Sequence, residues 1–154
     1  MRQTFDRRSV LGYAVGTAAG AILLGSKRPA AAAPMQFKAT LNGASEVPPN
    51  QSPGSGTLTA SFDPATKELT WSGNFSGLTG PATAAHFHGP AEVGKNAGVA
   101  IWISEKGKPL ESPFKGSATL TDQQVSDLQA GLLYANVHTA ANPGGELRGQ
   151  VTKA

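Results

Sequence analysis

The chain has 154 residues, no cysteine, and thirteen Lys+Arg against ten Asp+Glu. That length is one domain, and the lack of thiols excludes a disulfide frame and any cysteine-ligated metal cluster. From residue 33 onward eight basic and nine acidic residues remain, a net charge of −1, so the basic footprint of a nucleic-acid binder is missing from the body of the chain.

The first segment is of a different character. Arg7-Arg8 stands before an uncharged stretch, 9–25, rich in Ala, Gly and Leu, followed by Lys27-Arg28 and a run of small residues, Ala30 to Ala33. A basic start, an apolar middle and an A-x-A site describe a secretory signal, and the arginine pair with its mildly hydrophobic sequel makes it the twin-arginine type. A stretch this short and glycine-rich does not meet the need of a membrane span for about 20 apolar residues. Residues 1–32 are therefore expected to be a leader cleaved after Ala32. The product is expected to be a periplasmic or secreted domain, 33–154, with no stable membrane insertion.

That domain reads as all-β, with short alternating runs between Gly/Pro/Asn/Asp clusters. Phe37, Ala39 and Leu41 alternate with Lys38 and Thr40; Leu58, Ala60 and Phe62 with Thr59 and Ser61; Leu69, Trp71, Gly73 and Phe75 with Thr70, Ser72 and Asn74. Asp63-Pro64 is a turn between the second and third runs, since proline presets φ beside an aspartate able to bond its own backbone. Further strands are expected at 82–88, 99–103, 114–120, 132–138 and 146–152. One helix is marked by Thr121 as N-cap with Gln124 three residues on, a capping box, and by Gly131 as its stop. About eight strands and one short helix argue for a Greek-key sandwich or barrel.

The three histidines of the chain fall in two of these strands. His86 and His88 share a face, because side chains alternate along a strand. At about 6–7 Å apart along the strand they can converge on one ion with bonds of roughly 2 Å. Leu133, Ala135 and Val137 make the core set of a later strand, which leaves Tyr134, Asn136 and His138 outside. Leu147, Gly149 and Val151 do the same in the last strand, leaving Glu146, Arg148 and Gln150 outside. The alternation thus puts His86, His88, His138 and Arg148 on the outer face, and neighbouring strands would give a three-nitrogen metal site. Imidazoles without thiolate suit Zn, Cu, Fe or Ni, and without a carboxylate in either motif copper or zinc fits better than iron. Tyr134 and Asn136 are candidates to support the ligands. Glu46-Val47-Pro48-Pro49 and Asn142-Pro143-Gly144-Gly145 read as turn chemistry.

Leu41-Asn42-Gly43 with Glu46-Val47-Pro48-Pro49, Ala85-His86-Phe87-His88-Gly89, Tyr134-Ala135-Asn136-Val137-His138-Thr139, and Gly144-Gly145-Glu146-Leu147-Arg148-Gly149-Gln150 together resemble the CHRD (chordin) domain family over about 36–152. The order of elements is also distantly similar to Cu/Zn superoxide dismutase, in which a strand ends in H-x-H, a later one in V-H, and a last one carries an arginine near its start. That resemblance implies copper on His86, His88 and His138, an immunoglobulin-like or dismutase-like sandwich, and Arg148 as an anion-steering group for superoxide. The bridging histidine, the zinc subsite and the disulfide of those enzymes have no counterpart here.

Two functions follow as expectations. One is an exported copper protein with dismutase-like activity and no organic cofactor; the other is a non-catalytic binding or structural module of the cell envelope. An exposed Trp102 would mark a homodimer face.

Overall fold

Alternating small and large apolar residues build a three-stranded meander first. In the computed structural model, which describes residues 32–154, β1 (Met35–Asn42) buries Phe37, Ala39 and Leu41. It pairs residue for residue with β2 (Ser55–Asp63), Phe37 opposite Ala60 and Ala39 opposite Leu58. The leader expected at 1–32 falls outside the described residues except for Ala32. At the next turn the Asp63 carboxylate accepts the Ala65 amide at 2.8 Å, as the Asp-Pro pair predicts. β3 (Glu68–Ser76) returns along β2 with Leu69 opposite Phe62 and Trp71 opposite Ala60.

β4 (Ala82–His88) and β5 (Val99–Trp102) start a second group of strands. β6 (Phe114–Thr119) adds to the free side of β3, where Gly116 lies opposite Trp71. A Cβ at Gly116 would come within 2.7 Å of the indole, so only glycine lets β6 approach. α1 (Asp122–Gln129) begins at Thr121, whose hydroxyl accepts the Gln124 amide while the Gln124 side chain accepts the Thr121 amide. Gly131, at φ +72°, ends it, and Leu128 carries its buried edge. β7 (Tyr134–Thr139), β8 (Leu147–Gln150) and β9 (Thr152–Lys153) complete the described strands, nine rather than about eight. The extra one arises because the last run breaks at Val151, whose amide turns away to the Leu133 carbonyl at 2.9 Å.

The strand order is β5-β4-β7-β8-β1-β2-β3-β6, with β9 also on β1, and each pairing is antiparallel. The sheet rolls on itself. Trp71 of β3 and Phe87 of β4, far apart in that order, meet edge to face with ring centroids 5.4 Å apart, which makes a nearly closed barrel. Its interior holds Phe37, Leu41, Leu58, Phe62, Leu69, Phe87, Leu133, Val137 and Leu147, and each such fully buried side chain contributes roughly 1.5–3 kcal/mol of transfer free energy. The expected inward sets of the last strands (Ala135 and Val137, Leu147 and Val151) are in this core.

Candidate metal centre

β4, β7 and β8 are consecutive neighbours, and their register builds the site. His86 lies opposite Asn136, which lies opposite Arg148; His88 lies opposite Tyr134, and His138 opposite Ala84. These side chains point away from the barrel core, as the alternation predicts, yet β7 is buried on both faces. The connections 43–54, 89–98 and 140–146 fold back over the outer face. Under this roof His86 is 7%, His138 9% and Arg148 2% exposed.

Backbone carbonyls set the ring protons. His88 Nδ1 is 3.1 Å from the Ala97 carbonyl and His138 Nδ1 3.0 Å from the Pro143 carbonyl. A carbonyl only accepts, so each Nδ1 carries the proton and each Nε2 a lone pair. His138 Nε2 faces His86 Nδ1 at 3.1 Å, and His88 Nε2 is buried without a partner. The three residues offer nitrogens within 4.8 Å of one another. Two nitrogens bound at about 2.0 Å to one tetrahedral ion stand roughly 3.3 Å apart, close to the observed His86–His138 separation. His86 Nδ1 either donates its proton to His138 Nε2 or, with the proton on Nε2, offers a second lone pair to a cation between them, and His86 Nε2 is buried without a partner like that of His88. The donor set therefore fits a metal ion.

Electrostatics keep the three imidazoles neutral. His86 is lowered from 6.5 to about 4, by desolvation first and then by the charges His138 and His88 would carry. His88 and His138 are lowered as well, again chiefly by burial. Neutral imidazole is what a metal requires, and at neutral pH all three provide it.

Around the histidines, Tyr134 stacks on His88, with the rings 5.0 Å apart and 5° from parallel, and takes the Arg148 guanidinium 3.5 Å from its own ring centroid. Arg148 donates to the Asn96 side chain at 2.8 Å and to the Lys95 carbonyl, so it clamps the 89–98 connection onto β8. Trp102 stands opposite His86 and meets it edge-on, with centroids 4.2 Å apart, while staying 40% exposed. A bulge beyond Phe87 leaves Ala100 as the extra residue on β5, so that Val99 pairs with His88. Val99 and Trp102 thus both stand beside the histidine pair.

The CHRD domain family model matches residues 37–151. The chain belongs to the CHRD family. Comparison with curated proteins and with solved structures found no match to either. The match takes in each motif that forms the roof and the histidine strands of this CHRD domain.

Two residues of the site were not singled out by sequence reasoning. Glu46, read as turn chemistry, is 6% exposed and accepts the Asn136 amide at 2.6 Å. Burial raises its carboxyl to about 7 against the lowering influence of Arg148 and Asn136. It also borders a cleft of about 510 Å³ with Val47, Pro49, Val93 and Arg148. Glu146, assigned outward, is fully buried. Burial opposes its ionisation, but hydrogen bonds from Ser52, Thr139 and Thr79 prevail and hold it at about 2. The signal for both was their motif position beside glycine and proline; alternation assigns a face and is blind to what covers it.

Proposed function

We propose that this CHRD-domain protein holds one metal ion, copper in preference to zinc, on His86, His88 and His138. The observation that carries this reading is the cluster of three neutral imidazoles, His86 and His138 buried and His88 half-buried, two of them with Nδ1 tied to a carbonyl so that Nε2 keeps its lone pair. Orientation of ligand imidazoles by an outer hydrogen bond is how protein metal sites fix the tautomer. Bound copper would supply one-electron chemistry. The chain's own contributions are neutral imidazoles, a roof that covers His86 and His138, and the Tyr134–Arg148 stack that keeps His88 in place.

Dismutase-like turnover is the finer part of the proposal. Arg148 lends it positive charge from beneath the roof rather than from an open mouth, because its guanidinium is committed to Asn96, Lys95 and Tyr134. The roof over His86 and His138 favours a second reading, a metal-holding module of the cell envelope that does not turn over superoxide. Export by the twin-arginine-type leader to the periplasm or exterior belongs to both. It is tested by fractionating cells that carry Arg7→Lys together with Arg8→Lys, where cytoplasmic retention is expected.

Calorimetric titration and elemental analysis test the core claim. One copper per chain is expected, lost in His138→Ala and in His86→Ala; no stoichiometric uptake of copper or zinc overturns it. With copper bound, superoxide decay no faster than with the same concentration of free copper removes the dismutase reading and leaves the module.

A further inference from the structure

Glu146 is a fully buried carboxylate with no cation on it: the salt bridges among the described residues join Lys67 to Asp122 and Lys108 to Glu105. Five hydrogen bonds replace a counter-ion. Oε1 accepts from the Ser52 hydroxyl at 2.6 Å and the Thr79 amide at 2.7 Å. Oε2 accepts from the Thr79 hydroxyl at 2.7 Å, the Thr139 hydroxyl at 2.5 Å and the Asn142 side-chain amide at 3.2 Å. The donors come from the connections between β1 and β2, β3 and β4, and β7 and β8, and from the end of β7 itself. Asn50 adds bonds to the carbonyls of Gly145 and Glu146.

All of these contacts converge on the connection between β7 and β8, which also carries the Pro143 carbonyl that accepts from His138 Nδ1. We propose that Glu146 is a positioning residue for the metal centre: it pins this connection so that Pro143 holds His138 in the tautomer whose Nε2 faces His86. The metal consequence rests on the function proposed above; the tautomer consequence does not.

Glutamine at 146 is a sharp probe. Its NH2 must face either the Thr79 backbone N–H, which cannot accept, or the Asn142 side chain, which could accept only by flipping and giving up its bond to the Thr79 hydroxyl. Glu146→Gln is expected to break the arrangement on either choice. Thr79→Val, in the connection between β3 and β4, removes one hydroxyl donor and keeps the fold should Glu146→Gln fail to fold. Leu69→Ala, a core change in β3, serves as a control of lowered stability without loss of the clip.

The primary readout is the ¹⁵N signature of His138 in metal-free protein at neutral pH. The expected result is a protonated Nδ1 and a lone-pair Nε2 in the wild type and in Leu69→Ala, with mixed tautomers in Glu146→Gln and a smaller shift the same way in Thr79→Val. Affinity for Zn(II) or Cu(II) is expected to fall about 10- to 100-fold in Glu146→Gln. An unchanged His138 signature in the folded variants, or the same change in Leu69→Ala, overturns the positioning role. A wild type that takes up no metal overturns the metal reading by itself, and the tautomer result then decides the role of Glu146 alone.

Discussion

Glu46→Gln should make the domain more stable as pH rises, and the size follows from where the carboxyl sits. In the folded chain its ionisation is pushed from 4.5 to about 7, chiefly by burial. Below pH 4.5 the group is neutral in both folded and unfolded chains and costs nothing. Between 4.5 and 7 the unfolded chain loses its proton first, so the native state loses stability relative to it through that window. At 1.36 kcal/mol per unit, the 2.5-unit displacement amounts to about 3.4 kcal/mol, fully lost above pH 7. Glutamine keeps an oxygen for the Asn136 amide, 2.6 Å away in the wild type, and removes the titration. Urea denaturation of chelator-treated wild type and Glu46→Gln from pH 4 to 8 isolates the difference from every other titrating group. It should be near zero at pH 4, rise between 4.5 and 7, and level off at about 3 kcal/mol in favour of the variant. A difference that does not vary with pH refutes the account of Glu46 as a desolvated acid.

The histidine cluster should show the opposite slope. With His86 lowered from 6.5 to about 4, the unfolded chain takes up its proton first, so stability present above pH 6.5 falls by about 3.4 kcal/mol as pH drops to 4. Denaturation in a Glu46→Gln background shows this directly, and His86→Gln should remove its share of the fall and leave that of His88 and His138. Gly145→Ala should cost about 1–3 kcal/mol, since Gly145 holds φ +136° and its Cβ would lie 2.5 Å from Glu46 Oε1 and against the Asn136 amide; equal urea midpoints contradict that. Zn(II) at about a hundred times its dissociation constant should stabilise the fold by about 2.7 kcal/mol. That gain, read as a thermal shift, should vanish in His88→Ala and on adding chelator.

What could be read from the chain was whatever depends on period and local chemistry. The two-residue period assigned His86, His88, His138 and Arg148 to one face, and Thr121 with Gln124 placed the helix start where its capping box forms. The adjacency of β4 and β7 rests on distant pairings, such as His86 with Asn136, fifty residues on, and no local pattern encodes it. The roof was also invisible. Glu46 and Glu146 look like surface acids because burial there comes from loops folding over the sheet, held by side chain to backbone bonds such as Gln150 to the carbonyls of Ala91 and Gly131 at 3.0 and 2.7 Å. The break at Val151 depends on one amide finding the Leu133 carbonyl, again a long-range choice.

The roof bears on the two functional readings in opposite ways. Covering the imidazoles lowers their basicity and keeps them neutral, which favours metal binding; the same cover stands between the site and any dissolved substrate. Glu146 ties down one side with five hydrogen bonds, and Arg148 clamps the other through Asn96 and Lys95. On the β5 side Trp102 is in contact with His86 and 40% exposed, and His88 is half-buried. Dismutation would thus require the 89–98 connection to lift or an electron to pass by way of that exposed edge. Loosening the Arg148 clamp should raise turnover if superoxide must reach the ion directly. It should lower metal retention and add no turnover if the domain only holds the ion.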